Sequence, residues 1–131
     1  AYEIYQCDWS SDVCSSDLGM ATQAERACAV LSYGDLKRVE LALALAGAPR
    51  LLLMDEPTAG MAPQERQALM SLTARLARER RLAVLFTEHD MDIVFGHADR
   101  VLVLDHGRLI AQGAPALVRE HPEVRRVYLG S

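Results

Sequence analysis

Asp55 and Glu56 stand side by side after an apolar run, Leu51-Leu52-Leu53-Met54, and are followed by Pro57-Thr58. In open α/β sheets ligands gather beyond the carboxyl ends of the strands, and paired carboxylates there offer hard oxygen to a cation or a place for a proton. A bare acidic pair after an apolar run is equally able to cap the next element. Upstream, Ser32-Tyr33-Gly34-Asp35 opens a helix. A small hydroxyl residue and a glycine at a helix N-terminus make an anion site, because free N–H groups point outward and the helix dipole favours negative charge; taken alone, the four residues are an ordinary cap. Downstream, His89 lies in Thr87-Glu88-His89-Asp90 after a second apolar run. A neutral imidazole there can donate one hydrogen bond and accept another, although an isolated histidine at such a place is a loop or surface residue. No G-x-x-x-x-G-K-[ST] phosphate loop occurs, and the single lysine, Lys37, lies outside any such context.

The elements that must carry these residues follow from periodicity and breakers. Ala21 to Val30 reads as the end of a helix and Asp35 to Ala46 as another, stopped by Gly47-Ala48-Pro49. Arg50 to Asp55 and Leu82 to Thr87 are short continuous apolar runs, the pattern of strands buried on both faces of a parallel sheet. Between them Pro63 opens a helix to about Arg81, with Leu69, Leu72 and Leu76 inward and Arg66, Arg75 and Arg78 towards water. Asp90 to His97 is a short helix. Arg100 to Leu104 and Arg108 to Ala111 are strands joined at Asp105-His106-Gly107, where Gly107 supplies the positive φ of a tight hairpin. Short helices follow near Pro115 to Arg119 and Glu123 to Tyr128. Strands alternating with helices indicate an α/β layered domain. The methionines Met54, Met61, Met70 and Met91 are expected in packing positions, and His97, His106 and His121 in loops or on the surface.

Residues 1–18 carry a different signal. Cys7 to Leu18 can be encoded by DNA resembling a widely used short-read sequencing adapter, and Ala1 to Ile4 fits the flow-cell end of the same oligonucleotide. The segment is therefore set apart as an adapter artefact with no packing role, leaving residues 19–131 as the domain. The full chain has 131 residues and a formal charge of −4. Four acids, Glu3, Asp8, Asp12 and Asp17, fall in the excluded segment, so the remainder balances fourteen bases against fourteen acids. No basic field argues for nucleic acid. Cys28 alone remains of three cysteines, which gives no disulfide framework, and no histidine or cysteine spacing suggests a zinc site. There is no apolar run of membrane-spanning length.

In order and spacing, the three polar segments resemble the signature motif, Walker B strand and switch histidine of an ABC-type ATPase. The resemblance covers about residues 25 to 131 and implies an α/β fold, the C-terminal part of a P-loop NTPase domain with a mostly parallel sheet flanked by helices. It assigns Asp55 to Mg²⁺, usually through water, and Glu56 to polarising the attacking water as general base. His89 is assigned to contacting the γ-phosphate and orienting Glu56 and water, and Ser32 and Gly34 to the γ-phosphate of ATP held by the opposite subunit. The signature departs from the common L-S-G-G-Q, with Tyr33 for the middle glycine and Asp35 for glutamine. That variant, with Lys37-Arg38, resembles the ATPases of branched-chain amino acid importers, as does the end from Val124 to Gly130. Ala59-Gly60-Met61-Ala62 occupies the D-loop, with Ala62 where an aspartate commonly sits.

By the family pattern, the phosphate loop, the adenine-stacking strand and the glutamine loop lie upstream of this chain. The expectation is the ATP-binding and hydrolysing subunit of a bacterial importer for branched-chain or related amino acids, or small amides such as urea. It implies ATP and Mg²⁺, ABC permease subunits, a second ATPase subunit and, indirectly, an extracytoplasmic substrate-binding protein, with a peripheral location on the cytoplasmic face of the inner membrane. Two other classes stand beside it. An ABC ATPase acting on DNA or ribosomes shares these motifs but usually adds coiled-coil insertions or paired domains; a non-catalytic binding fragment is the stricter reading of these residues alone.

Overall fold

The computed structural model describes residues 18–20, 22 and 26–129. The chain divides into two compact units, Ala1–Phe86 and Thr87–Ser131.

In the first unit a 3₁₀ turn, Cys28–Val30, precedes helix α1, Tyr33–Ala46. Of the helix expected over Ala21 to Val30, this turn forms the end; residues 21 and 23–25 lie outside the described residues. Helix α1 begins two residues earlier than expected because Ser32 caps it: the Ser32 Oγ accepts from the Asp35 N–H at 3.1 Å. Strand β1, Leu51–Asp55, then leads through a loop to α2, Pro63–Arg80, and to β2, Ala83–Thr87. The strands pair in a two-stranded parallel sheet, so β1, α2 and β2 form a β-α-β unit. Arg81, at φ 53°, ends α2 in a left-handed turn whose N–H reaches the carbonyls of Ala77 and Arg78, a common way of satisfying the last carbonyls of a helix.

The core of this unit lies on one face of the sheet. Leu41, Ala42 and Leu45 of α1 meet Leu69 and Leu76 of α2, Leu52 of β1, and Leu82. Each such leucine contributes about 1.5–3 kcal/mol by leaving water. Thr73 is also buried in α2, and its hydroxyl is satisfied by donating to the Leu69 carbonyl at 2.9 Å. The opposite face corrects the expectation of strands buried on both sides: Leu51, Leu53 and Leu85 are 53%, 67% and 55% exposed. Strand residues alternate between faces, and among the described residues both helices pack on the Leu52 side only. A second correction concerns the excluded segment: Leu18, its last residue, is buried with Met20 in the same core, so the expected lack of a packing role fails there. Residues 1–17 lie outside the described residues.

The second unit opens with α3, Met91–His97, capped by Asp90, whose carboxylate accepts from the Asp92 and Ile93 N–H groups. Strands β3, Val101–Asp105, and β4, Arg108–Gly113, form an antiparallel hairpin. Asp105 pairs with Arg108 across His106 (φ 45°) and Gly107 (φ 77°). Two successive positive φ values are the mark of the turn that suits the twist of a hairpin; positive φ was expected at Gly107 alone. Ile110 is an extra residue opposite the Val103–Leu104 step, where the register shifts. Helices α4, Pro115–Arg119, and α5, Pro122–Val124, follow, then a π-helical turn, Arg125–Leu129. Ile93, Val94, Val101, Val103, Val118 and Val124 are buried. Tyr128 closes the unit by donating its hydroxyl to the Leu104 carbonyl at 2.5 Å.

The histidines divide. His106 is exposed in the turn and 2.7 Å from Asp105, as expected of a surface residue. His97 is half-buried at the end of α3, and burial holds its imidazole below the usual 6.5. His121 caps α5 with Nδ1 buried and unpartnered. His121 thus keeps to a loop as expected, whereas His97 ends a helix.

Candidate functional site

The loop after β1 is where the carboxylates gather. Asp55 is the last residue of the strand and Glu56 the first beyond it, both exposed. Glu56 adopts φ 43°, a left-handed conformation that costs a side-chain-bearing residue roughly 1–2 kcal/mol. Two turns hold the corner: the Ala59 N–H donates to the Glu56 carbonyl at 3.1 Å and the Met61 N–H to the Thr58 carbonyl at 3.2 Å. Thr58 and Met61 are 2% and 4% exposed, so the loop is anchored from beneath while its acidic residues face outward. Strain held in place by packing is a feature of binding and catalytic corners.

The other candidate residues of this unit sit at the start of α1. Ser32 uses its oxygen as the helix cap, which leaves its O–H free in valence to donate to an anion. Gly34 does something the sequence did not disclose. It is buried in the first turn of α1, and a Cβ there would stand 3.2 Å from Glu65 Oε1 and 3.7 Å from the Met61 methyl. Its smallness leaves room on this face for the Glu65 and Met61 side chains. Tyr33 lies against Gly60, whose own Cβ would stand 3.6 Å from the ring. Lys37 lies near the same ring, its Nζ 5.5 Å from the ring centroid and 2.8 Å from Glu40 Oε2. The hydrogen bond that Lys37 donates to Glu40 raises its ammonium above the ordinary value, against the lowering effect of burial.

Glu65 was absent from the sequence reading. Its Oε2 accepts from the Ala62 N–H at 3.2 Å, the returning half of a capping box whose other half Ala62, lacking an oxygen, cannot supply. Pro63 at the first helical position and an acid three residues after the cap were the available signals. Beside it, the Arg66 guanidinium donates to the Met61 carbonyl at 2.8 Å. A cleft of about 190 Å³ runs between α1 and β1, lined by Lys37, Glu40, Leu41, Leu52, Asp55 and Leu69 among others. His89 belongs to the second unit, in the segment between β2 and α3, and is exposed.

The donor set suits a hard cation. Asp55 offers one exposed carboxylate at a strand end, and Mg²⁺ typically takes one or two carboxylates and keeps waters or phosphate oxygens for the rest. Helix α1, of fourteen residues, presents its N-terminal N–H groups beside Ser32, where negative charge is favoured.

Comparison with known proteins returns a consistent group. The family model described as ABC transporter matches residues 5–59, so it reaches into the segment set apart above, and that described as branched-chain amino acid ATP-binding cassette transporter matches residues 108–131. The high-affinity branched-chain amino acid transport ATP-binding protein LivG of Escherichia coli is 39% identical over 86% of this chain and 44% of its own length. The zinc import ATP-binding protein ZnuC of Halorhodospira halophila is 37% identical over 86% and 44%. Among solved structures, the ADP conformation of MJ1267, an ATP-binding cassette of an ABC transporter, superposes with a TM-score of 0.78 at 31% identity, over 88% of this chain and 46% of that one. The chain therefore spans a little under half the length of these relatives.

Proposed function

The chain belongs to the ABC transporter ATPase domains and is homologous to branched-chain amino acid transport ATP-binding proteins, and from that premise we propose that the complete protein hydrolyses ATP to drive import of branched-chain or related amino acids, or small amides. The observation that carries the chemistry is the corner after β1: an exposed Asp55–Glu56 pair at a strand end, with Glu56 held at positive φ over a buried Thr58–Met61 anchor. Glu56 takes a proton from the attacking water. Asp55 holds Mg²⁺, which supplies neutralisation of phosphate charge when bound. His89 orients the water and Glu56 through its two ring nitrogens. The Ser32 hydroxyl and the N-terminal amides of α1 address the γ-phosphate of ATP carried by a second subunit.

The partners follow: a second ATPase subunit, ABC permease subunits, and through them an extracytoplasmic substrate-binding protein. No helix among the described residues is long and apolar enough to cross a membrane, which accords with a peripheral subunit at the cytoplasmic face. The cargo is the finer part of the proposal. A zinc import protein is nearly as similar as a branched-chain amino acid one, and the match over residues 108–131 favours the amino acids. ATPase stimulation in vesicles carrying the permease and binding protein, with leucine and zinc as competing cargoes, decides it.

Assembly separates from chemistry in two variants of the complete protein. With ATP, Glu56→Gln is expected to elute as a stable dimer in size-exclusion chromatography and Ser32→Glu as a monomer, because a carboxylate at the α1 N-terminus repels the incoming γ-phosphate. A Ser32→Glu dimer as abundant as that of Glu56→Gln refutes the role given to Ser32. Residues 1–18 are proposed as adapter-encoded, a reading that the family match from residue 5 opposes; the genomic DNA upstream of codon 19 decides between them.

A further inference from the structure

Two contacts join the start of α1 to the loop that follows the acidic pair. Glu65 reaches backward with one oxygen to the Ala62 N–H, and its other oxygen lies where a Gly34 Cβ would meet it at 3.2 Å. Tyr33 lies against Gly60, which at φ 75° has a left-handed backbone and would bring a Cβ to 3.6 Å from the ring. Gly34 and Gly60 thus leave room, one on each side, for a residue of the opposite segment. Arg66, next to Glu65, fixes the Met61 carbonyl between them. The Glu65 hydrogen bond stays within the junction of the loop and α2, and Glu65 meets α1 by packing at Gly34; a displacement of the 59–62 loop therefore disturbs the first turn of α1 through that packing and lifts Tyr33 from Gly60.

We infer that Glu65 and Tyr33 are positioning residues that lock Ser32–Gly34 to the 59–62 loop as one block. The inference rests on the function proposed above, in which the loop follows the subunit's own acidic pair and Ser32 serves the nucleotide of its partner. Under that reading the block ties the state of one nucleotide site to the presentation of the other. The two side chains act by keeping the start of α1 in the one orientation that accepts a phosphate. Releasing the block lowers the population of the competent arrangement, and apparent affinity falls by the same fraction.

The test is the ATP dependence of hydrolysis by the complete protein. Glu65→Ala is expected to raise KM for ATP roughly fivefold, the factor typical of losing a helix cap, with kcat changed by less than about twofold. Glu65→Gln keeps an oxygen acceptor for the Ala62 N–H and should restore KM. Tyr33→Ala should raise KM while Tyr33→Phe, which keeps the ring over Gly60, should not; this second pair carries the test if Glu65→Ala does not fold. The double variant Tyr33→Ala with Glu65→Ala should cost less than the product of the single effects, because one block is released twice. Unchanged KM in both alanine variants, a fall in kcat at constant KM, or a Gln variant as impaired as Ala overturns the inference. Glu56→Gln serves as the control on its foundation. If that variant hydrolyses ATP normally the proposed function itself fails, and if it is slow while the Glu65 and Tyr33 series is flat only the block fails.

Discussion

Of the four non-glycine residues at positive φ among the described residues, two follow strands at nearly the same left-handed angle, Glu56 at φ 43° after β1 and His106 at φ 45° after β3. At His106 the angle belongs to the turn: the strands on either side pair directly, Gly107 continues the positive φ, and the hairpin twist requires both. At Glu56 the flanking segments do not pair with one another. The angle is held instead by turn hydrogen bonds and by Thr58 and Met61 anchored in the core. The same backbone cost is thus local architecture in one place and imposed from a distance in the other, and only the second corner carries an acidic pair at a strand end.

The largest effect that tests this contrast is on chemistry. In the complete protein Glu56→Gln is expected to lower ATP hydrolysis by roughly 10²–10⁴-fold, the contribution typical of a general base, while His106→Gln leaves the rate unchanged. A steady-state ATPase assay with both variants reads it, and an unaltered rate in Glu56→Gln removes Glu56 from the mechanism. Stability is expected to respond next. Glycine relieves the left-handed cost at either corner, so Glu56→Gly and His106→Gly should each be more stable than the matching alanine variant by roughly 1–2 kcal/mol, measured by urea unfolding; activity should be lost at the first corner and kept at the second. Equal glycine and alanine stabilities at Glu56 show that the strain is not there.

The smallest effect is a pH dependence confined to the hairpin unit. Burial depresses the His97 pKa in the folded state below 6.5, so between that lower value and 6.5 the unfolded chain binds more protons. Stability is full above 6.5 and declines as pH falls through the window. His97→Gln should flatten the decline in urea midpoints collected from pH 7 to pH 5; an unchanged slope assigns the acid sensitivity to other groups.

Much of the architecture was legible because it is written locally. Proline at the first turn of α2, Asp90 before α3, Gly107 in the hairpin and the apolar spacing of Leu69 and Leu76 each act through near neighbours. The order of Ser32, Asp55, Glu56 and His89 was legible as a motif for the same reason. What escaped depends on residues far apart in sequence. The runs Leu51–Met54 and Leu82–Phe86 announce apolar strands, but an apolar run does not say how many layers cover it, and Leu51, Leu53 and Leu85 proved exposed. Glu65 packs against Gly34 from a different helix, a contact that no local signal announces. Nothing in Glu56 itself foretells a positive φ, since glutamate has no preference for that region.

Lys37 has a practical consequence. It is the only lysine in the sequence, so an amine-acylating dye finds one side chain to modify besides the chain's terminal amine. Its bond to Glu40 keeps the ammonium protonated to higher pH than an ordinary lysine, which leaves less free amine at mildly alkaline pH and makes coupling slow. A fluorophore attached there stands on the turn of α1 just beyond Tyr33, and its emission would report on that corner in a polypeptide carrying no substitution at all.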